Sequence, residues 1–222
     1  MVYYKYTQTW FSHSEIKYYL ASLLDKSKEN HILEIGCFEG LSSVFFADNF
    51  LNYAGPAGPV DSTGSTGTTG STLTCVDPFL HIDNNDHSYL LQNGAELNFD
   101  YNISQCKNTE KITVYKTTSD NFFKMNAKTF NVKTFNAKTF NFIYVDGCRE
   151  PDFIRRDMDN SFNVLEKGGI MWMNGYDDGG YGYGTCDGSD DVIKKVMDDF
   201  LDKYTGQYVV IHKGYQLAIK KN

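Results

Sequence analysis

Short apolar runs alternate along this chain with polar or glycine-rich stretches. Five early runs have the length of strands: 31–35 (HILEI), 73–79 (LTCVDPF), 111–116 (KITVYK), 140–145 (FNFIYV) and 170–173 (IMWM). Runs that are apolar almost throughout suit strands buried on both faces, whereas KITVYK alternates as a half-wet strand does. Helical stretches lie between them, at 15–24, 41–51, 90–99, 120–125, 152–165 and 190–204. Their starts carry helix signals: Ser12 or Ser14 before the first, Ser119 before the fourth, Pro151 near the start of the fifth. Residues 166–169 (EKGG) read as the stop of that fifth helix. The runs 208–212 and 215–220 pair as a hairpin turning at Lys213-Gly214. Strand and helix in regular alternation predict an α/β fold.

Three stretches break the pattern. Residues 54–72 are a Gly/Ser/Thr tract with two prolines, flexible and solvated; no Lys-Ser/Thr follows it, as a phosphate cradle would require. Lys-Thr-Phe-Asn occurs three times, at 128–131, 133–136 and 138–141, within a second insert at 126–139. A five-residue period fits no helix face and no solenoid. It is the pattern expected of replication slippage in a compositionally biased genome, such as that of a large DNA virus. Residues 175–189 are rich in Gly, Tyr and acids, and read as a lid over the sheet edge. A length of 222 residues suits one domain throughout, with 1–30 as an N-terminal helical segment.

Chemistry concentrates at His31-Ile32-Leu33-Glu34-Ile35-Gly36-Cys37-Phe38-Glu39-Gly40. The strand breaks at Gly36 into a turn, and a helix begins after Gly40. Backbone N–H groups and the positive end of the helix dipole then face outward and favour an anion. Glu34 adds the opposite polarity. A ligand with both an amine and a carboxylate, such as the methionine end of S-adenosylmethionine, suits this turn. An ordinary β-turn-α start has the same outline, so the motif alone leaves the two readings even. The dinucleotide fingerprint G-x-G-x-x-G is not met, because Phe38 stands at the second glycine. Asp77, ending the second strand, could accept the two hydroxyls of a ribose, in a nicotinamide dinucleotide as well as in S-adenosylmethionine. Ser119 and Asp120, at the third strand's tip, could hydrogen-bond an adenine, though helix capping explains Ser119 almost as well. His81 and His87 read as loop histidines before they read as bases.

Five segments in order, ILEIGCFEG, LTCVDPF, FNFIYVDG, LEKGGIMW and HKGYQLAIKK, resemble the class I S-adenosylmethionine-dependent methyltransferases. The likeness is strongest to the small O-methyltransferase-like branch called methyltransferase type 24. It implies a Rossmann-like doubly wound sheet of seven strands, mostly parallel, with an antiparallel C-terminal hairpin strand. It also implies that Glu34, Gly36, Phe38 and Gly40 frame the methionine end of the cofactor. Asp77 would take the ribose, Ser119 and Asp120 would sit at the adenine, and Asp146 would lie beside the transferable methyl.

Two departures from that pattern bear on catalysis. Relatives read Asp-Gly-Ser-His where this chain has Asp146-Gly147-Cys148-Arg149, and Asp-Asp-Tyr where it has Asn174-Gly175-Tyr176. In metal-dependent relatives the acids hold a divalent cation that lowers the acceptor's pKa. Asp146 with Asn174 makes a thin Mg2+ site, which Asp177 or Asp178 would have to complete. Arg149 stays protonated and cannot replace the histidine as a base, but it could grip an acidic sugar or a phosphate. Asp146, Arg149 and Asn174 are the candidate catalytic residues.

The favoured function is therefore methyl transfer to an oxygen of a small acceptor, such as a sugar or sugar nucleotide. A degenerate S-adenosylmethionine-binding or interaction module is the rival, and a nicotinamide oxidoreductase rests on Asp77 alone. A net charge of −7 and a pI near 5.2 disfavour nucleic acid as a partner. No run reaches the length of a membrane span, and residues 1–5 (MVYYK) lack an apolar signal core. Five scattered cysteines without a CxxC pair fit reduced thiols in a cytoplasmic protein. The aromatic N-terminus could bury itself against a second subunit, as a homodimer.

Overall fold

The computed structural model describes residues 3–52, 70–79, 94–127, 129–130, 139–177 and 190–222. Seven strands form one sheet: β1 (His31–Ile35), β2 (Thr72–Val76), β3 (Ile112–Tyr115), β4 (Phe140–Val145), β5 (Leu165–Met173), β6 (Tyr208–Lys213) and β7 (Leu217–Lys221). Their order is β3-β2-β1-β4-β5-β7-β6. Strands β1 to β5 pair in parallel, and β7 alone runs against its neighbours β5 and β6. The order reverses between β1 and β4. In open α/β sheets such a switch point, at the strands' C-terminal ends, is where ligands bind.

Period-two alternation divides the core between the two faces. Ile32, Phe142, Tyr144, Ile170, Trp172 and Ala218 point to one side, where α1 (Ile16–Leu23), α2 (Leu41–Phe50) and α3 (Ala95–Ser104) pack through Leu20, Phe46 and Phe99. Leu33, Ile35, Ile143, Val145, Met171 and Met173 point to the other, onto α4 (Ser119–Met125), α5 (Pro151–Val164) and α6 (Asp190–Lys203). Burial on both sides explains why β4 and β5 are apolar without alternation. The register sets Cys75, Glu34, Tyr144, Trp172 and Ala218 in one row across the sheet. That row faces α1, α2 and α3, and it carries Glu34 and Tyr144, two of the polar side chains of the site.

Some expected boundaries move. The third helix runs Ala95–Ser104 rather than 90–99, and residues 90–93 lie outside the described set. Residues 166–169 do not stop a helix outside the sheet. α5 passes straight into β5, which bulges so that Phe140 pairs with Leu165 while Phe142 pairs with Ile170. Thr118, not Ser119, caps α4, because its backbone is extended and its hydroxyl accepts the Asn121 N–H. Neither Ser12 nor Ser14 caps α1: residues Trp10–His13 form one 3-10 turn, and the Ser14 hydroxyl is drawn into the core. Most of the Gly/Ser/Thr tract, His81, His87, most of the repeats and lid residues 178–189 fall outside the described residues. Among the described residues, no helix is long and apolar enough to cross a membrane.

Candidate active site

The turn after β1 is built by close approach. Gly36 has φ +84°, and a Cβ there would lie 2.1 Å from the carbonyl oxygen of Asp146, so only glycine fits. The approach draws the tips of β1 and β4 together, with the Asp146 N–H donating to the Ile35 carbonyl at 2.8 Å. Gly40, also left-handed, precedes α2. The turn's N–H groups do not face outward as expected. Those of Cys37 and Phe38 donate to Asp77 Oδ2 at 2.7 and 2.9 Å, and that of Phe79 donates to Oδ1 at 2.7 Å. Asp77 thus clasps the turn from the β2 tip and helps to hold Phe38 at φ 46°, a conformation that costs a non-glycine residue about 1 kcal/mol.

Glu34 is fully buried, because its row in the sheet faces α2. The hydroxyls of Ser42 and Ser43, in the first turn of that helix, donate one to each of its oxygens. Burial pushes its pKa up to about 7. Next to the turn, buried Glu39 accepts from the Thr7 N–H at 2.6 Å, from the Thr7 hydroxyl at 3.0 Å and from Asn98 at 2.7 Å. Asn102 adds bonds to both backbone groups of Lys5, which straps the N-terminal segment over α2 and α3. Trp10 follows, 61% exposed, with its ring 5.3 Å from that of Phe38.

The tips of β4 and β5 bring Asp146 and Asn174 together, as the sequence led us to expect, but through a network it did not reveal. Asp146 Oδ2 accepts the Tyr144 hydroxyl at 3.0 Å, and Oδ1 accepts Asn174 Nδ2 at 2.7 Å. The Asn174 carbonyl oxygen accepts Gln216 Nε2 at 2.8 Å. Gln216 Oε1 in turn takes the Trp172 indole N–H at 2.8 Å, the Ser14 hydroxyl at 2.9 Å and the Ile16 N–H at 3.1 Å. Burial raises the proton affinity of Asp146, while the charge of Arg149 and the two donors oppose that rise. Gln216 was missed, although a lone amide in the run YQLAI was its signal. Tyr144 lay unnoticed inside an apolar strand.

A small cleft opens here, lined by Asp146, Gly147, Cys148, Arg149, Asp157 and Asn174 among others. Arg149 lies over Gly175 and donates to the Tyr215 hydroxyl at 3.3 Å. Asp157, a buried acid of α5, has an Oδ1 without a partner; burial pushes its pKa up to about 7, and Ser119 nearby opposes the rise. Asp120 turns away from the cleft and pairs with Arg156 at the surface at 3.0 Å. The acid next to Ser119 is therefore Asp157.

Residues 33–176 match the model of a methyltransferase domain family, type 24. The chain belongs to this family. Its members are class I S-adenosylmethionine-dependent methyltransferases, and the protein is an enzyme of that kind. No curated protein matches by sequence. Solved structures share the fold at low identity. A Klebsiella pneumoniae protein described as an O-methyltransferase is 12% identical, with TM-score 0.55 over 94% of this chain and 80% of its own. The O-methyltransferase TomG of Streptomyces achromogenes, solved with S-adenosylmethionine, is 14% identical, with TM-score 0.54 over 89% and 75%. A Clostridium thermocellum protein described as an rRNA methylase is 15% identical, with TM-score 0.53 over 95% of both chains.

The metal of some relatives does not fit the methyltransferase's β4–β5 corner. A divalent cation needs oxygen ligands, but Asn174 turns its NH2 to Asp146 and gives its oxygen to Gln216. Asp177 binds Tyr215 through its backbone, and Asp178 lies outside the described residues. Among the described residues, the group with metal-like spacing is Glu34, Cys37 and Cys75. There Ser42 and Ser43 occupy the carboxylate, and burial pushes both thiols up and keeps them protonated.

Proposed function

We propose that this methyltransferase moves the methyl group of S-adenosylmethionine to a hydroxyl oxygen of a small acceptor, of the sugar or sugar-nucleotide class. Asp146 carries the reading: a carboxylate at the β4 tip, its proton affinity raised by burial, lining the cleft with Arg149 beside it. A base needs a pKa near the working pH, and burial moves Asp146 toward it. Methyl transfer is an in-line displacement, so holding the acceptor oxygen behind the methyl carbon supplies much of the acceleration. As the C–O bond forms and the C–S bond breaks, the hydroxyl proton passes to Asp146 and S-adenosylhomocysteine leaves uncharged. Arg149 would hold a phosphate or acidic sugar through paired N–H groups.

On the cofactor side, Gly36, Phe38 and Gly40 would shape the methionine pocket. Glu34 would act through Ser42 and Ser43 rather than by touching the ligand. Asp77 Oδ1 carries one N–H and keeps a lone pair for a ribose hydroxyl. Ser119 and Asp157 would meet the adenine, in place of Asp120. The net charge of −7 supports a small acceptor over RNA.

The test is calorimetric titration with S-adenosylmethionine and S-adenosylhomocysteine on wild type and Asp77→Ala, followed by mass spectrometry on a sugar-nucleotide panel. Binding that the variant loses, with one methylated product, is the expected result. Binding without turnover across a broad acceptor panel would favour a degenerate cofactor-binding module. Absence of binding to folded wild type overturns the proposal.

A further inference from the structure

We infer that Gln216 is a positioning residue that locks the Asp146–Asn174 corner in a hydrogen-bonded, cation-excluding form. The orientation of both amides follows from donors that cannot accept. The Trp172 indole N–H and the Ile16 backbone N–H can only donate, so the Gln216 atom they meet, at 2.8 and 3.1 Å, is its carbonyl oxygen. Its NH2 therefore faces Asn174, whose facing atom at 2.8 Å has to be the oxygen. That leaves the Asn174 NH2 against Asp146 Oδ1 at 2.7 Å. Each step removes a choice from the next, and the chain is anchored in the core: Trp172, Ile16 and Gln216 are fully buried.

The consequence for Asp146 is specific. Its two oxygens receive O–H and N–H donors from Tyr144 and Asn174, while the Asn174 oxygen, which could help to ligate a cation beside it, is turned away and occupied. The fixed positive charge at the corner is Arg149. A divalent cation would displace a hydrogen bond and meet an amide NH2. This inference concerns the corner itself and holds whatever the acceptor is, so metal binding rather than turnover reads it.

The probe is Mn2+, followed by electron paramagnetic resonance of the free ion, on the intact chain with folding checked by circular dichroism. Wild type should bind no stoichiometric Mn2+ that Asp146→Asn abolishes. Gln216→Glu keeps one oxygen for Trp172, Ile16 and Ser14 and presents a second acceptor to Asn174. The amide should then flip, place its oxygen beside Asp146 and create a site at least tenfold tighter than wild type. Asn174→Asp should create one directly, without the flip. A merely structural glutamine would give no such gain, and Gln216→Ala should give less of it than Gln216→Glu. Stoichiometric Mn2+ on wild type that Asp146→Asn removes overturns the exclusion. A folded Gln216→Glu that gains nothing overturns the positioning role; should that variant not fold, a folded Asn174→Asp that gains nothing overturns the lock.

Discussion

Asp77 and Asp146 occupy equivalent places, each directly after a valine at the end of a parallel strand, yet they are held in opposite ways. Among the described residues, Asp77 accepts from backbone N–H groups, those of Cys37, Phe38 and Phe79. Among the same residues, Asp146 accepts from side chains, Tyr144 and Asn174, and the second depends on Gln216 at the head of the β7 segment. The first acid secures a turn, whereas the second is presented to a cleft. One sequence pattern, an acid after an apolar strand, thus clasps a turn at one tip and lines a cleft at the other. What distinguishes them is whether the local backbone or a distant side chain supplies the donors.

The largest effect should come from joining the two tips wrongly. Gly36→Ala forces a Cβ onto the Asp146 carbonyl in a left-handed backbone and should cost roughly 4 kcal/mol or more, read by chemical denaturation, with ligand binding lost. Next, Asp77→Ala leaves three N–H groups without their acceptor and should cost about 2–4 kcal/mol. Asp146→Ala leaves the Tyr144 hydroxyl and the Asn174 NH2 without their acceptor, two donors rather than three. It should cost less stability while abolishing turnover, and if the two losses are equal the contrast fails.

A pH titration of stability probes both tips together. Glu34 near the turn and Asp157 under the cleft have folded-state pKa values raised to about 7 by burial. The folded state then binds the proton more tightly than the unfolded chain. Stability is full below the ordinary carboxylate range of about 4 and declines as pH rises to 7, by roughly 3–4 kcal/mol per group. Glu34→Gln and Asp157→Asn should each flatten that decline, and a slope unchanged in both would refute the burial account. Trp10→Phe should have the smallest effect, under ~1 kcal/mol, because Trp10 is mostly exposed. It should remove the exposed component of tryptophan emission and leave that of buried Trp172 alone, which fluorescence spectra of the two proteins would show.

The fold was legible because its signals are local: FNFIYV reappears as β4 without a shift of boundary, and Gly36 and Gly40 mark the turn. Half of the site was legible for the same reason, since Asp77 and Asp146 follow their strands by one residue. Other parts were not. That Asp120 turns to Arg156 while Asp157 lies under the cleft depends on how α5 packs on α4, which no residue spacing encodes. The inward turn of Glu34 follows from strand parity and the place of α2, which are settled only when the sheet order is known. The role of Gln216 requires β7 to insert between β5 and β6, bringing it 42 residues back along the chain to Asn174.

That insertion also bears on the order of synthesis. A ribosome that has made everything through β6 has made Asp77 and Asp146, the glycine turn and six of the seven strands. The sheet still has a gap beside β5, and Asn174 has nothing to orient it. Only when residues 216–221 emerge does the last strand close the gap and the amide chain set. A nascent chain can therefore hold Asp146 and Asn174 before the strand that orients them, so that the order of this corner arrives with β7.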